Sequence, residues 1–166
     1  MKKTIRNISC LLLVFSLLPL LSGCNNEDDI IEILTGKTWK LTYINLEDKG
    51  GWMNGFSEKS IKILNENQES YTITFTGTEE DNRISNGAVK GRIITADLTG
   101  TWSANGKNNE FHASVTNVNE NDDLAKEFIK GLNNASSYIG DDNGLFLYYN
   151  PAGSQQTYVL AFHVQR

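Results

Sequence analysis

Between residues 71 and 76 the chain reads Tyr-Thr-Ile-Thr-Phe-Thr. In an extended backbone successive side chains point to opposite faces, so Tyr71, Ile73 and Phe75 share one side and Thr72, Thr74 and Thr76 the other. A helix would scatter the two sets around its circumference. Threonine and the aromatic residues also favour a pleated, half-buried surface. This segment therefore forms a strand with one face on an apolar core and one on water, the signature of an antiparallel sheet.

The same grammar recurs along the chain. Trp39, Leu41 and Tyr43 alternate with Lys40 and Thr42, and Phe111, Ala113 and Val115 alternate with His112 and Ser114. Residues 60–64 read as a short strand, 78–87 as a polar connection, and 88–97 and 98–104 as one or two strands interrupted near Gly100. Asn105-Gly106 is a type I′ hairpin signal, because both residues tolerate positive φ. Strands follow at 110–118, 137–139, 145–149 and 157–164, with turns at 141–144 and 150–153. The run Leu145-Phe146-Leu147-Tyr148-Tyr149 is apolar on both sides and reads as buried on both. Gly36 and Gly100 each precede a strand tryptophan, Trp39 and Trp102, an echo that reflects recurrent barrel grammar.

Two segments depart from this pattern. At 30–34, Ile30, Ile33 and Leu34 share a face, with Asp29 able to cap and Gly36 to stop a helical turn. From Asp123 the apolar positions are Leu124, Phe128 and Leu132, spaced by four, which makes an amphipathic helix capped by Asp122 or Asp123 and ending near Asn133. The expected fold class is α+β, mostly β: a small antiparallel curved sheet or barrel with one late amphipathic helix.

The first residues belong to a different physical regime. Lys2, Lys3 and Arg6 precede an apolar run at 10–23 that is shorter than the ~20 residues a spanning helix needs. Small residues Ser22 and Gly23 close it, as in a secretory signal peptide. Leu21-Ser22-Gly23-Cys24 resembles the bacterial lipobox, which implies cleavage before Cys24 and acylation of its sulfur. The other cysteine, Cys10, lies in the segment to be removed, so neither a disulfide nor a cysteine metal site is available to the mature chain. Lipoproteins of this kind hold to a membrane by more than one acyl chain, since a single chain is marginal. The expected organisation is therefore a signal peptide at 1–23, a lipidated Cys24 with an acidic tether through Asp29, and one β-rich domain at 30–166. The tether, Asn25-Asn26-Glu27-Asp28-Asp29, resembles the surface-export signals of some Gram-negative lipoproteins. The expected location is the outer membrane, facing either the surface or the periplasm.

Charge narrows the partners. Loss of residues 1–23 leaves 12 Lys and Arg against 20 Asp and Glu, a formal charge of −8. That opposes nucleic-acid binding and electrostatic adhesion to anionic lipid. Membrane contact then runs through the acyl chains on Cys24.

Several segments together resemble the META domain of small bacterial envelope lipoproteins. They are 36–41, 71–75, the glycines Gly87 and Gly91, Gly100-Thr101-Trp102, the late helix, 144–148 and 158–162. The resemblance spans about residues 36–164 and implies a small barrel-like α+β fold without established catalysis. The Gly-Cys-Asn turn common in that family is missing here. Gly100-Thr101-Trp102 also resembles the Gly-x-Trp of lipocalins, and Gly36-Lys37-Thr38-Trp39 is one residue off it. That second resemblance implies a barrel with an apolar cavity.

No nucleophile elbow, zinc-protease motif or phosphate loop appears, and His112 and His163 read as ordinary strand residues. The acid run 141–144 lacks the spaced ligands of a calcium loop. We expect no catalytic residue, metal or cofactor, although a carboxylate pair for hydrolysis is a third, weaker reading. Aromatic side chains are the better lead. Trp52, Met53 and Phe56 sit in a glycine-rich loop, where they either plug a barrel end or form a binding lip, and Tyr148 and Tyr149 are further ligand candidates. The expected function is a lipid-anchored, non-catalytic binding module for a glycan, peptide or protein. A structural or stress-related envelope protein without a small ligand is the alternative.

Overall fold

The computed structural model describes residues 29–46, 55–116, 119–151 and 153–166. The proposed signal peptide, Cys24 and most of the acidic tether lie outside these residues, as do Trp52 and Met53.

Eight antiparallel strands close into a barrel in simple sequential order. They are β1 (Thr38–Leu46), β2 (Thr72–Thr76), β3 (Arg83–Arg92), β4 (Asp97–Asn105), β5 (Glu110–Val115), β6 (Ala135–Gly140), β7 (Gly144–Tyr149) and β8 (Tyr158–Val164). Closure comes from β1 pairing with β8, from Trp39↔Val164 to Leu46↔Tyr158. The expectation of a mostly β antiparallel barrel with one late helix matches this architecture. An eight-stranded barrel has an interior just wide enough for side chains to fill, and here they fill it. Trp102 packs on Phe75 and Phe111, at ring-centroid distances of 4.9 and 6.0 Å. Trp39, Ile73, Tyr138 and Leu147 are likewise wholly buried. The outer wall of β2–β5 is polar, with Thr76, Lys90, Arg92, Thr99, Thr101 and Ser114 in solvent. This polarity is the reverse of a bilayer-spanning barrel.

Helices close the two ends. Helix α1 (Ile30–Leu34) precedes β1 and sits at the end where that strand begins. Asp29 caps it by accepting from the Glu32 N–H at 3.0 Å, and Ile30 and Leu34 enter the core. The Trp39 indole donates to the Leu34 carbonyl at 3.1 Å. Helix α2 (Glu58–Glu66) joins β1 to β2, and helix α3 (Asp123–Asn134) joins β5 to β6, so both lie at the opposite end. Leu124, Phe128 and Leu132 are fully buried, as their spacing predicts, and Asp122 is the cap. The Phe128 ring lies 5.8 Å from Tyr71 and 6.1 Å from Phe162.

The structure corrects six local expectations. Residues 60–64 lie within helix α2 and do not form a strand. Ile61 and Ile63 imitate alternation, but Ser57 accepts from the Ser60 N–H at 3.1 Å and starts a helix whose buried positions are Ser60 and Leu64. Strand β3 begins at Arg83, inside the expected connection, and β4 runs through Gly100 without a break. At Gly100 the neighbouring strand is so close that a Cβ would stand 2.1 Å from the Ser114 carbonyl oxygen, so glycine permits the pairing that its presence suggested was broken. The turn after Asn105 has four residues, 106–109, with Asn109 at φ 57°, in place of a two-residue type I′ turn. A bulge between Leu41 and Tyr43 moves Tyr43 off the Trp39–Leu41 face and turns Ile44 inward. Finally, β7 buries one face only: Leu145, Leu147 and Tyr149 point in, while Phe146 and Tyr148 are half-exposed.

Candidate functional site

Two polar assemblies stand out, and their burial gives them different meanings. The first is the joint between the helices at one barrel end. Asp122 accepts from Ser60 Oγ at 2.5 Å, from the Tyr71 hydroxyl at 3.0 Å and from the Ala125 N–H at 3.0 Å. Ser60 is 2% exposed and Tyr71 is fully buried. Burial alone would raise the Asp122 pKa, but the hydrogen bonds from Ser60, Ala125, Tyr71 and Leu124 outweigh it and hold the carboxyl below its ordinary value. Burial, and then the Asp122 charge beside it, push the Tyr71 phenol above its usual range. Tyr71 sits at φ 52°, uncommon for a bulky side chain, immediately before β2. Nearby, the Lys40 ammonium donates to the Asn67 carbonyl at 2.9 Å, to the Ser70 carbonyl, and to Ser70 Oγ at 3.2 Å. It thus caps the C-terminal end of α2, where partial negative charge accumulates. Lys40 is 3% exposed, and burial lowers its pKa from 10.5 to about 8. These groups satisfy one another inside the protein, and they lock α2, α3 and the start of β2 together.

The second assembly is on the outer wall. Strand β5 meets β6 through one register pair, Glu110↔Ser137, reinforced by the Tyr138 N–H donating to the Asn109 carbonyl at 3.0 Å. A bulge between Ala135 and Ser137 displaces the start of β6 against β7. Where the wall splays, a groove of about 420 Å³ opens, lined by Asn109, Ser136, Ser137, Tyr138, Ile139, Tyr148, Asn150 and Thr157. Ser137 lies directly across from Tyr148 in the β6–β7 register. Ile139 is 56% exposed, unusual for a large aliphatic side chain. On the far wall Asn150 donates to Thr157 Oγ1 at 3.3 Å. None of the eight lining residues carries a charge. Three other described grooves all do: one holds Arg83, Glu110 and His112, another Glu120, Lys126 and Lys130, and the third Arg166.

Phe56 is half-buried and packs against the core. Tyr149 is fully buried and donates to Glu127 at 2.8 Å. Burial, with this bond, raises its pKa, and the residue belongs to the core. Of the candidates among the described residues, only Tyr148 lines the groove. His112 is exposed and lies 3.0 Å from Glu110, an interaction that lowers the Glu110 pKa. His163 is exposed and lies 2.8 Å from Thr42, its pKa lowered by burial and then by Lys40. Asp141 accepts from the Asn143 and Gly144 N–H groups at 2.7 and 2.8 Å, which makes 141–144 a plain hairpin turn. The sequence reading missed Asn109, Ser136, Ser137, Ile139, Asn150 and Thr157. Ile139 beside two serines was the available signal, an aliphatic residue on a strand face otherwise made of small polar groups.

A family model described as a domain of unknown function, DUF4847, matches residues 25–164. No curated protein matches the sequence. Among solved structures, the crystal structure of a DUF4847 family protein from Bacteroides vulgatus ATCC 8482 is similar, with 26% sequence identity and a TM-score of 0.54 over 81% of this chain and 96% of that one.

Proposed function

The chain belongs to the DUF4847 family, and on that footing we propose that it is a lipid-anchored, non-catalytic binding module of the cell envelope. The observation that carries the binding reading is the uncharged groove along β6, with Tyr148 and the exposed Ile139 on its wall. A cleft lined by apolar and aromatic side chains with a few placed polar groups is the composition of a small-ligand site. Ser60 and Asp122 touch, yet Asp122 is spent on capping α3 and the Ser60 hydroxyl on bridging Asp122 and Ser57 inside the protein, which supports a non-catalytic reading. The META-like order of elements is part of the same proposal, as a distant kinship.

The anchor reading rests on residues 1–29. The basic start, the apolar run, the lipobox-like Leu21-Ser22-Gly23-Cys24 and the acidic tether together describe an outer-membrane lipoprotein of a Gram-negative bacterium. The polar outer wall of the barrel supports an attachment through acyl chains on Cys24 in place of a lipid-facing wall. Replacing Cys24 with Ala should abolish acyl labelling and release the protein from the membrane fraction. Unchanged labelling and retention would end the anchor reading. Protease shaving of intact cells then assigns the face, with digestion expected for surface display. A second reading, an envelope protein with no small ligand, draws on the barrel interior being filled by its own aromatic side chains. Broad ligand screens without thermal stabilisation would favour it.

A further inference from the structure

The groove along β6 also specifies a class of ligand, on the footing that this surface is a binding face. We propose that it is a subsite for an uncharged sugar chain. Three observations carry this. First, the lining is neutral throughout in a chain whose residues are 21% charged, and the other described grooves hold Arg, Lys, Glu or His. Phosphate, sulfate and carboxylate groups are held by Arg or Lys, and no such residue reaches the lining.

Second, the polar members are amides and hydroxyls, each able to donate and accept. Among the described residues, the side chains of Asn109, Ser136 and Ser137 make no hydrogen bond within the protein. A hydroxyl-rich ligand pairs with such groups in either sense. A purely apolar ligand would bury them unpaired, at a cost of about 1–3 kcal/mol for each group.

Third, the ring and the polar groups sit in register. Tyr148 is directly opposite Ser137, with the exposed Ile139 two residues along β6. A sugar has an apolar face of C–H groups and an equatorial rim of hydroxyls. The Tyr148 and Ile139 side chains, with Ser, Asn and Thr along the same groove, offer both kinds of surface. The volume, about 420 Å³, falls in the ~300–1,000 Å³ range of small-ligand clefts.

The test uses the full-length protein in mild detergent, titrated calorimetrically with hexasaccharides of glucose, mannose and xylose, and with hexagalacturonate as the acidic counterpart. At least one neutral chain should bind, and the acidic chain should bind at least tenfold more weakly. Tyr148→Ala should lower the neutral affinity at least tenfold. Because Tyr148 is half-buried, Ser136→Arg is the second variant. It lies on an exposed rim, should leave the melting temperature unchanged, and should also lose the neutral ligand. No binding across the neutral panel would overturn the proposal, as would equal binding of the acidic chain or wild-type affinity in both variants. If neutral sugars fail but an extended peptide binds and Ser136→Arg blocks it, the ligand class falls and the binding-module reading stands. If Ser136→Arg alters nothing that the wild type binds, the groove itself falls.

Discussion

Replacing Asp122 with Ala should be the most damaging single polar substitution among the residues discussed here. The carboxylate caps α3 through the Ala125 N–H and accepts from two hydroxyls, Ser60 Oγ at 2.5 Å and Tyr71 OH at 3.0 Å. Loss of an N-cap costs about 1 kcal/mol. The Tyr71 hydroxyl, on a fully buried residue, loses a charged acceptor at about 2–3 kcal/mol, while Ser60 Oγ keeps Ser57 Oγ as a partner at 2.7 Å. The total is about 3–4 kcal/mol, or roughly 10 °C in melting temperature for a domain of this size. Asp122→Asn keeps one capping oxygen but offers an NH₂ where the second hydroxyl needs an acceptor, so it should cost about 1–1.5 kcal/mol. The effect also depends on pH in a fixed sense. The folded pKa of Asp122 lies below its unfolded value, so its contribution is complete above the ordinary carboxylate range and is lost as pH falls through the folded value. Urea denaturation of wild type and Asp122→Ala, from neutral pH into acid, should show the gap closing. A gap below about 1 kcal/mol at neutral pH would refute the reasoning, given the minimum expected from losing the cap alone. So would a gap that stays constant into acid.

Further substitutions probe other joints. Lys40→Met should destabilise by about 1–2 kcal/mol in urea, because the Ser70 carbonyl loses its donor while the Asn67 carbonyl keeps those of Ser70. Lys40 holds its proton to about pH 8 when folded and to about 10.5 when unfolded, so across that window the unfolded state binds more protons. Wild-type stability should therefore rise with pH relative to Lys40→Met, and a fall would contradict the assignment. Gly87→Ala should cost about 2–4 kcal/mol, since its Cβ would lie 2.1 Å from the Trp102 indole nitrogen, and near-UV circular dichroism should report the displaced ring. Tyr149→Phe should cost about 1 kcal/mol by thermal melting through loss of the 2.8 Å bond to Glu127, and it should leave ligand binding at the groove unchanged.

Much of the barrel was legible because its residues obey local rules. The alternation through Ile73 and Phe75 holds, with both side chains buried. The four-residue spacing of Leu124, Phe128 and Leu132 marks the helix face, and Asp122 its cap. Alternation fails where a second pattern fits the same residues, as at Ile61 and Ile63, and there the serine cap decides. It also fails where both faces are apolar. Nothing local says whether Tyr148 or Tyr149 turns inward, because the pairing of β7 with β8 settles it. The groove was illegible for a different reason. It arises from the bulge at Ala135–Ser137 and from a single β5–β6 pair, both products of how distant strands meet. Lys40 was legible as a residue on the outer face of β1, but not as the buried cap of a helix that begins eighteen positions later.

The pairing of β1 with β8 also sets an order of events. Thr38–Leu46 finds its partner only in Tyr158–Val164, near the opposite end of the described chain. Until that last strand emerges, β1 keeps one open edge, and the core that Trp39 and Leu41 share with Leu160 and Phe162 is half-built. A polypeptide threaded amino-terminus first through a membrane channel would thus stay unclosed, and threadable, until Tyr158–Val164 had passed.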